Sequence, residues 1–134
     1  MKKITLCWGL AFGLTLSALA QQKDPLGSHL FPPELIMAHQ NTLGMSETQK
    51  NAIKELMKNA QNEFTDLNWE MQDLTADLLR LVAKSKVDEA AAQAQLAKVL
   101  QHENLIKQKQ FTFMIRLKNL LSESQQKKLN DLRK

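Results

Sequence analysis

The sequence predicts an all-α protein built as a long antiparallel helical hairpin with short flanking helices. Residues 45–134 contain neither glycine nor proline, although both residue types occur earlier in the chain. In a helix interior glycine costs about 1 kcal/mol and proline about 3 kcal/mol relative to alanine, whereas turns and sheets depend on both. Apolar residues also recur at alternating spacings of three and four between Ile53 and Leu81, as on a helix that packs lengthwise against a partner.

The amino terminus has the pattern of a secretory signal peptide over residues 1–20. Two lysines precede an apolar run over residues 4–16, and small residues follow, so cleavage is expected after Ala20. The only cysteine, Cys7, lies inside this segment. The pattern predicts an exported, periplasmic protein that does not span the membrane after cleavage.

The remaining chain is expected to form one domain. Residues 21–31 are predicted to be a flexible leader because they contain Asp24-Pro25 and Gly27-Ser28 as turn signals. A single helical domain then covers residues 32–134, with helices over about 33–42, 46–83, 87–121 and 123–133. Prolines 32 and 33 suit a helix start, Gly44 suits a helix end, and either Ser85 or Asp88 is expected to cap the third helix.

A hairpin of two long helices is only one layer thick, so it cannot cover both sides of its apolar stripe. A second copy of the chain would supply the missing layer, and we therefore predict a homodimer. The alternative is that the first and fourth helices fold back over the hairpin.

Charge is unevenly distributed along the predicted hairpin. Residues 63–103, near the turn, carry eight acidic and four basic side chains, for a net charge of −4. The open end, residues 45–62 with 104–134, carries eleven basic and four acidic side chains, for a net charge of +7. A basic end of this size can attract acidic proteins, anionic lipid headgroups or other polyanions, and the alternative is an ordinary solvated face. Nucleic acid is not expected as a partner of an exported protein with few aromatic residues in this region.

One pentapeptide pattern occurs twice, each time at a predicted helix start. Met45, Ser46 and Gln49 form the first copy, and Leu121, Ser122 and Gln125 form the second. Taken singly, Ser-x-x-Gln is a generic capping box. Two copies flanking a hairpin behind a signal peptide resemble the LTxxQ-motif family of periplasmic proteins, the Spy, CpxP and ZraP group, and the related CnrX-like heavy-metal sensors. Serine replaces threonine in both copies, and Met45 replaces leucine in the first.

The resemblance implies an ATP-independent periplasmic chaperone or envelope-stress adaptor, built as a curved helical dimer. Its partners would be unfolded envelope proteins or the periplasmic domain of a sensor kinase. Candidate binding residues are the basic side chains of the open end: Lys50, Lys54, Lys58, Lys107, Lys109, Arg116 and Lys118. Adaptable apolar contacts could come from Met57, Met71, Met114, Phe64, Phe111 and Phe113, although their helical spacing equally suits a core.

The alternative function is heavy-metal sensing or resistance. Potential ligands are His29, His39 and His102, together with Met37, Met45, Met114 and nearby carboxylates. Imidazole with thioether suits copper, and imidazole with carboxylate suits zinc, nickel or cobalt. We predict that any such site joins His39 to His102 and Glu103 across the fold, the alternative being that these are ordinary surface or core histidines. No cofactor is required by the sequence, and no nucleophile–base pair or phosphate-binding loop predicts an enzyme.

Overall fold

The computed structural model describes residues 25–133, and four α-helices account for most of them. Their bounds are α1 Pro33–Ala38, α2 Glu47–Val82, α3 Glu89–Asn119 and α4 Glu123–Leu132. No strand occurs in residues 25–133, which confirms the all-α prediction. The predicted signal peptide and residues 21–24 lie outside the described residues.

The two long helices pack against each other as an antiparallel hairpin. At about 1.5 Å per residue, the 36 residues of α2 span about 54 Å. α2 begins at Ser46, whose hydroxyl accepts a hydrogen bond from the Gln49 backbone N–H. α3 begins at Asp88, whose carboxylate accepts from the Ala91 N–H. Asp88 is therefore the cap of α3, the second of the two residues that the sequence offered for that position.

The first helix ends four residues earlier than the sequence predicts. After Ala38 the backbone continues through turns, in which the Leu43 N–H donates to the His39 carbonyl and the Gly44 N–H donates to the Asn41 carbonyl. Gly44 then adopts a left-handed backbone with φ of 61°, which glycine reaches without steric cost. Leu43 and Met45, on either side of this change of direction, are both buried in the core.

The main core lies at the open end of the hairpin, where α1 and α4 fold back over it. Its buried side chains come from every part of the chain around that end: Phe31, Ile36, Leu43, Met45, Ile53, Leu117, Leu121 and Leu129. Phe31 is only 1% exposed, so the predicted flexible leader does not extend to residue 31. Burial of such an apolar side chain contributes about 1.5–3 kcal/mol.

We call the open end, with α1 and α4 folded over it, the base. Beyond the base, no other element of residues 25–133 forms a second layer on the hairpin. The segment from Val82 to Ala90 is exposed throughout, and Leu79, near the turn, is 60% exposed. The fold-back alternative is thus realised at the open end only. Among the described residues, none of the helices is both long enough and apolar enough to cross a membrane.

Candidate functional site

The two copies of the Ser-x-x-Gln motif meet at the open end through their glutamines. Gln49 Nε2 donates to Gln125 Oε1 over 2.6 Å, and Gln125 Nε2 donates back to Gln49 Oε1 over 3.0 Å. Gln49 also donates to the Leu120 carbonyl, and Gln125 also donates to the Leu43 carbonyl. This glutamine pair connects the start of α2 with the start of α4. It also connects both starts with the segments that precede these helices.

Only the second copy is a complete capping box. Gln125 Oε1 accepts from the Ser122 N–H over 2.9 Å, and the Ser122 hydroxyl accepts from the Gln125 N–H. The first copy keeps the serine half, but the Gln49 side chain turns away from Ser46 to reach α4. The expectation of two equivalent boxes is therefore wrong for Gln49, because its amide satisfies a carbonyl and an amide that lie more than seventy residues away in sequence.

The basic residues of the open end fall into two groups. Lys109 pairs with Glu63 over 2.6 Å, and Lys118 donates to the His29 carbonyl. Lys50 hydrogen-bonds Glu47, and this bond together with the lysine charge lowers the pKa of the Glu47 carboxyl. The second group has no ion pair within residues 25–133 and is exposed to solvent: Lys54, Lys58, Lys107 and Arg116.

His102 lies in the interface between the two long helices and is 8% exposed. Its Nε2 is 2.7 Å from the Leu67 carbonyl oxygen, and its Nδ1 is 3.7 Å from Glu70 Oε2. A carbonyl oxygen only accepts hydrogen bonds, so Nε2 carries a proton. The other ring nitrogen, Nδ1, faces the exposed carboxylate of Glu70 at the surface of the hairpin.

Gln95 makes the same kind of contact one heptad earlier in α3. Its Nε2 donates over 2.9 Å to the carbonyl of Leu74, which lies one heptad after Leu67 in α2. Because Gln95 and His102 are seven residues apart in α3, both side chains lie on the same face of that helix.

The predicted metal ligands do not come together in one chain. Within residues 25–133, no three His, Cys, Asp or Glu side chains are placed so that they could hold a metal ion. His39 ends α1 at the base of the hairpin, whereas His102 lies opposite Leu67. Glu103 follows His102 by one position, about 100° around the helix, and is exposed. The trio of His39, His102 and Glu103 is therefore wrong for the single chain, and the carboxylate beside His102 is that of Glu70.

An apolar groove of about 420 Å³ lies at the base, between α1 and the hairpin. We call it the base groove. Its lining consists of Pro33, Met37, Lys54, Met57, Lys58, Ala60, Gln61, Phe64 and Phe113. The rings of Phe64 and Phe113 meet edge to face, with centroids 6.2 Å apart.

A second apolar surface lies at the opposite end, beside the turn. This tip surface surrounds a groove of about 540 Å³ and is lined by Leu78, Leu79, Val82, Val87, Glu89, Ala92, Gln93 and Leu96. Three leucines of α3 are exposed, namely Leu96, Leu100 and Leu105. Polar Gln95 and His102 occupy the interface in their place.

Taken together, these features define an all-α hairpin protein with a glutamine-tied base, a His–Glu pair in its middle and two exposed apolar surfaces. Residues 4–131 match the heavy-metal resistance family, and the chain belongs to that family. No curated protein and no solved structure matches the chain.

Proposed function

We propose that this protein acts in heavy-metal resistance as an exported protein that binds a divalent metal ion at His102. The orientation of the imidazole ring carries this proposal. Histidines that bind metals usually donate their second ring N–H to a backbone carbonyl or a carboxylate, which fixes the ring and its tautomer. His102 already donates Nε2–H to the Leu67 carbonyl, and its other ring nitrogen, Nδ1, lies 3.7 Å from Glu70 Oε2.

The chemistry of this pair favours zinc, nickel or cobalt over copper(I), because the donors are imidazole and carboxylate rather than thioether or thiolate. Metal bonds to these donors are about 2.0–2.2 Å long, so one cation can reach both atoms across the 3.7 Å that separates them. Two protein ligands are fewer than the three or four of most zinc sites. Water or donors from a second copy would complete the coordination, and binding would be readily reversible.

The test is a metal titration of the purified protein. Binding is measured by calorimetry and by the fluorescence of Trp69, which adjoins Glu70 in sequence. The informative variant is His102→Gln. Its amide can still donate to the Leu67 carbonyl, as Gln95 does to Leu74, but it removes the ring nitrogen that would bind metal. We expect His102→Gln to lose stoichiometric binding of Zn²⁺ or Ni²⁺ and Glu70→Gln to weaken it.

His39→Ala is the matched control, since it removes a histidine at the base and leaves the His102 pair intact. It should bind like the wild type. Loss of binding in His39→Ala but not in His102→Gln would move the site to α1. Absence of stoichiometric binding by the wild type would overturn the proposal.

A second candidate function is that of an ATP-independent chaperone or stress adaptor of the Spy/CpxP type, for unfolded envelope proteins or a sensor kinase. The observation that favours it is the tip surface, where Leu79 is largely exposed beside Val82 and Val87. Large exposed apolar surfaces commonly mark sites of protein interaction. The basic residues without ion pairs at the open end would add long-range attraction for acidic segments.

This candidate is tested by the aggregation of a chemically unfolded protein in the presence of a chelator and without ATP. Suppression near stoichiometric amounts would support the chaperone and make metal at most a modulator. Protection that appears only after addition of zinc, copper or nickel would favour the metal-binding function instead.

A further inference from the structure

The base groove combines an apolar floor with two cationic side chains on its rim. Met57 and Phe113 pack against the main core from the groove side, and Met37 closes the groove from α1. Its volume of about 420 Å³ lies within the range of about 300–1,000 Å³ that is typical of small-molecule sites. Thioether side chains adapt their shape to irregular apolar ligands because they have several rotatable bonds and a polarizable sulfur.

The cations are Lys54 and Lys58, which lie one turn apart on α2. Like charges at this spacing repel each other and slightly destabilise a helix. Neither ammonium group has an ion pair within residues 25–133, in contrast to Lys50 and Lys109 on the same end of the hairpin. An anion placed between the two lysines would relieve their repulsion while its apolar part filled the groove.

The dimensions of the groove select among anionic apolar ligands. A peptide helix is about 10–12 Å across and rises about 5.4 Å per turn, so the groove volume holds only about one turn. A single extended hydrocarbon chain is much narrower. We propose that the base groove binds a long-chain fatty acid, with its acyl chain over Met37, Met57 and Phe64 and its carboxylate between Lys54 and Lys58.

This inference does not depend on the metal site, since the lining residues of the groove include neither His102 nor Glu70. The two proposals can therefore fail separately. Chelator should leave fatty-acid binding unchanged, and His102→Gln should bind the fatty acid as the wild type does.

The experiment measures binding of palmitate, below its micelle concentration, to the purified protein by calorimetry or by displacement of a fluorescent fatty acid. We expect saturable binding of about one equivalent. The double variant Lys54→Glu/Lys58→Glu should bind at least tenfold more weakly, because it reverses the charge on the rim without touching the apolar floor. Lys107→Glu is the matched control, since Lys107 is exposed, lacks an ion pair and does not line the groove. It should retain wild-type affinity.

A second variant and a second ligand test the apolar floor and the head group separately. Met57→Trp should block the groove and abolish binding, while circular dichroism checks that the helices remain. Cetyl alcohol, which has the same chain without the charge, should bind at least tenfold more weakly than palmitate. Equal binding of palmitate by the wild type and by Lys54→Glu/Lys58→Glu would overturn the proposal, as would equal binding of the acid and the alcohol.

Discussion

Gln125 uses the full hydrogen-bonding capacity of a side-chain amide. Its Nε2 donates to Gln49 and Leu43, and its Oε1 accepts from Gln49 and Ser122. Gln125 is buried, at 8% exposed, so leaving its amide without partners would carry a desolvation cost of about 1–3 kcal/mol. Throughout residues 25–133, no buried side-chain nitrogen or oxygen lacks a partner.

We predict that Gln49 and Gln125 are energetically coupled. Replacing either with alanine should lower the free energy of unfolding by about 1–3 kcal/mol, since carbonyls at the junction lose their donors. The double variant should cost less than the sum of the single variants, with a coupling energy of about 0.5–3 kcal/mol in a double-mutant cycle. Denaturant unfolding followed by circular dichroism measures all four proteins.

Gln101→Ala is the control for this cycle, because Gln101 is exposed on α3 and outside the junction. Its effect should stay within about 0.5 kcal/mol of zero. Strictly additive effects of the Gln49 and Gln125 substitutions would contradict the cooperative role of the pair.

The sequence identified Gln49 and Gln125 as motif residues but not as partners of each other. A Ser-x-x-Gln pattern predicts only hydrogen bonds between its own serine and glutamine, because it covers just four consecutive residues. The actual partner of Gln49 depends on how α4 returns to the hairpin base. His102 was missed as an interface residue for a related reason: apolar periodicity locates the buried face of a helix through its apolar members, and a polar residue on that face is invisible to it.

The segment that precedes α1 is held to α4 by contacts from Arg133. Arg133, at the carboxyl end of α4, donates to the carbonyls of Gly27, Ser28 and Leu30, and its guanidinium lies 5.0 Å from the centre of the Phe31 ring. Such a fan of donors needs the planar guanidinium, and an ammonium cannot reproduce it. The segment that precedes α1 is thereby fixed against α4.

We predict that Arg133→Ala loosens residues 27–31 and lowers the free energy of unfolding by about 1–3 kcal/mol, because several charge-assisted hydrogen bonds are lost. Arg133→Lys keeps the charge and should recover only part of that loss. Hydrogen exchange measures the local effect, in the faster exchange of the His29 N–H, which donates to the Leu26 carbonyl. Full recovery by lysine would show that charge alone matters.

Among the helices, the sequence predicted the long ones well and the short ones less well. The absence of glycine and proline over residues 45–134 is a strong signal that needs no tertiary information, and α2 and α3 fall inside it. The bounds of α1 depend instead on burying Leu43 and Met45, which no local pattern specifies.

Residues 25–133 form a compact base and a thin, partly apolar tip. Among residues 25–133, no third helix covers the tip surface. A single-layer hairpin needs a covering layer, and the half near the turn has none within residues 25–133. The predicted homodimer remains our expectation for this part of the molecule, as the alternative to client binding at the same tip surface.

We predict that the wild type sediments as a dimer and that Leu79→Glu/Leu96→Glu sediments as a monomer, since new charges on the tip surface would have to be desolvated in the interface. Analytical ultracentrifugation at several concentrations measures the association. Leu132→Glu is the control, because Leu132 is an exposed leucine at the base, and it should dimerise normally. A monomeric wild type would remove the prediction, and unchanged dimerisation of the tip variant would move the interface elsewhere.

The separation of charge between the two ends affects the orientation in which the protein approaches a charged surface. Residues 63–103, near the turn, carry a net charge of −4, and the open end carries +7. Because these charges are spread along helices about 50 Å long, a single chain has a large electric dipole moment. A negatively charged surface exerts a torque on such a rod within about one Debye length, roughly 10 Å at 0.1 M salt. A single chain is therefore expected to approach such a surface with its base groove foremost and its tip pointing away.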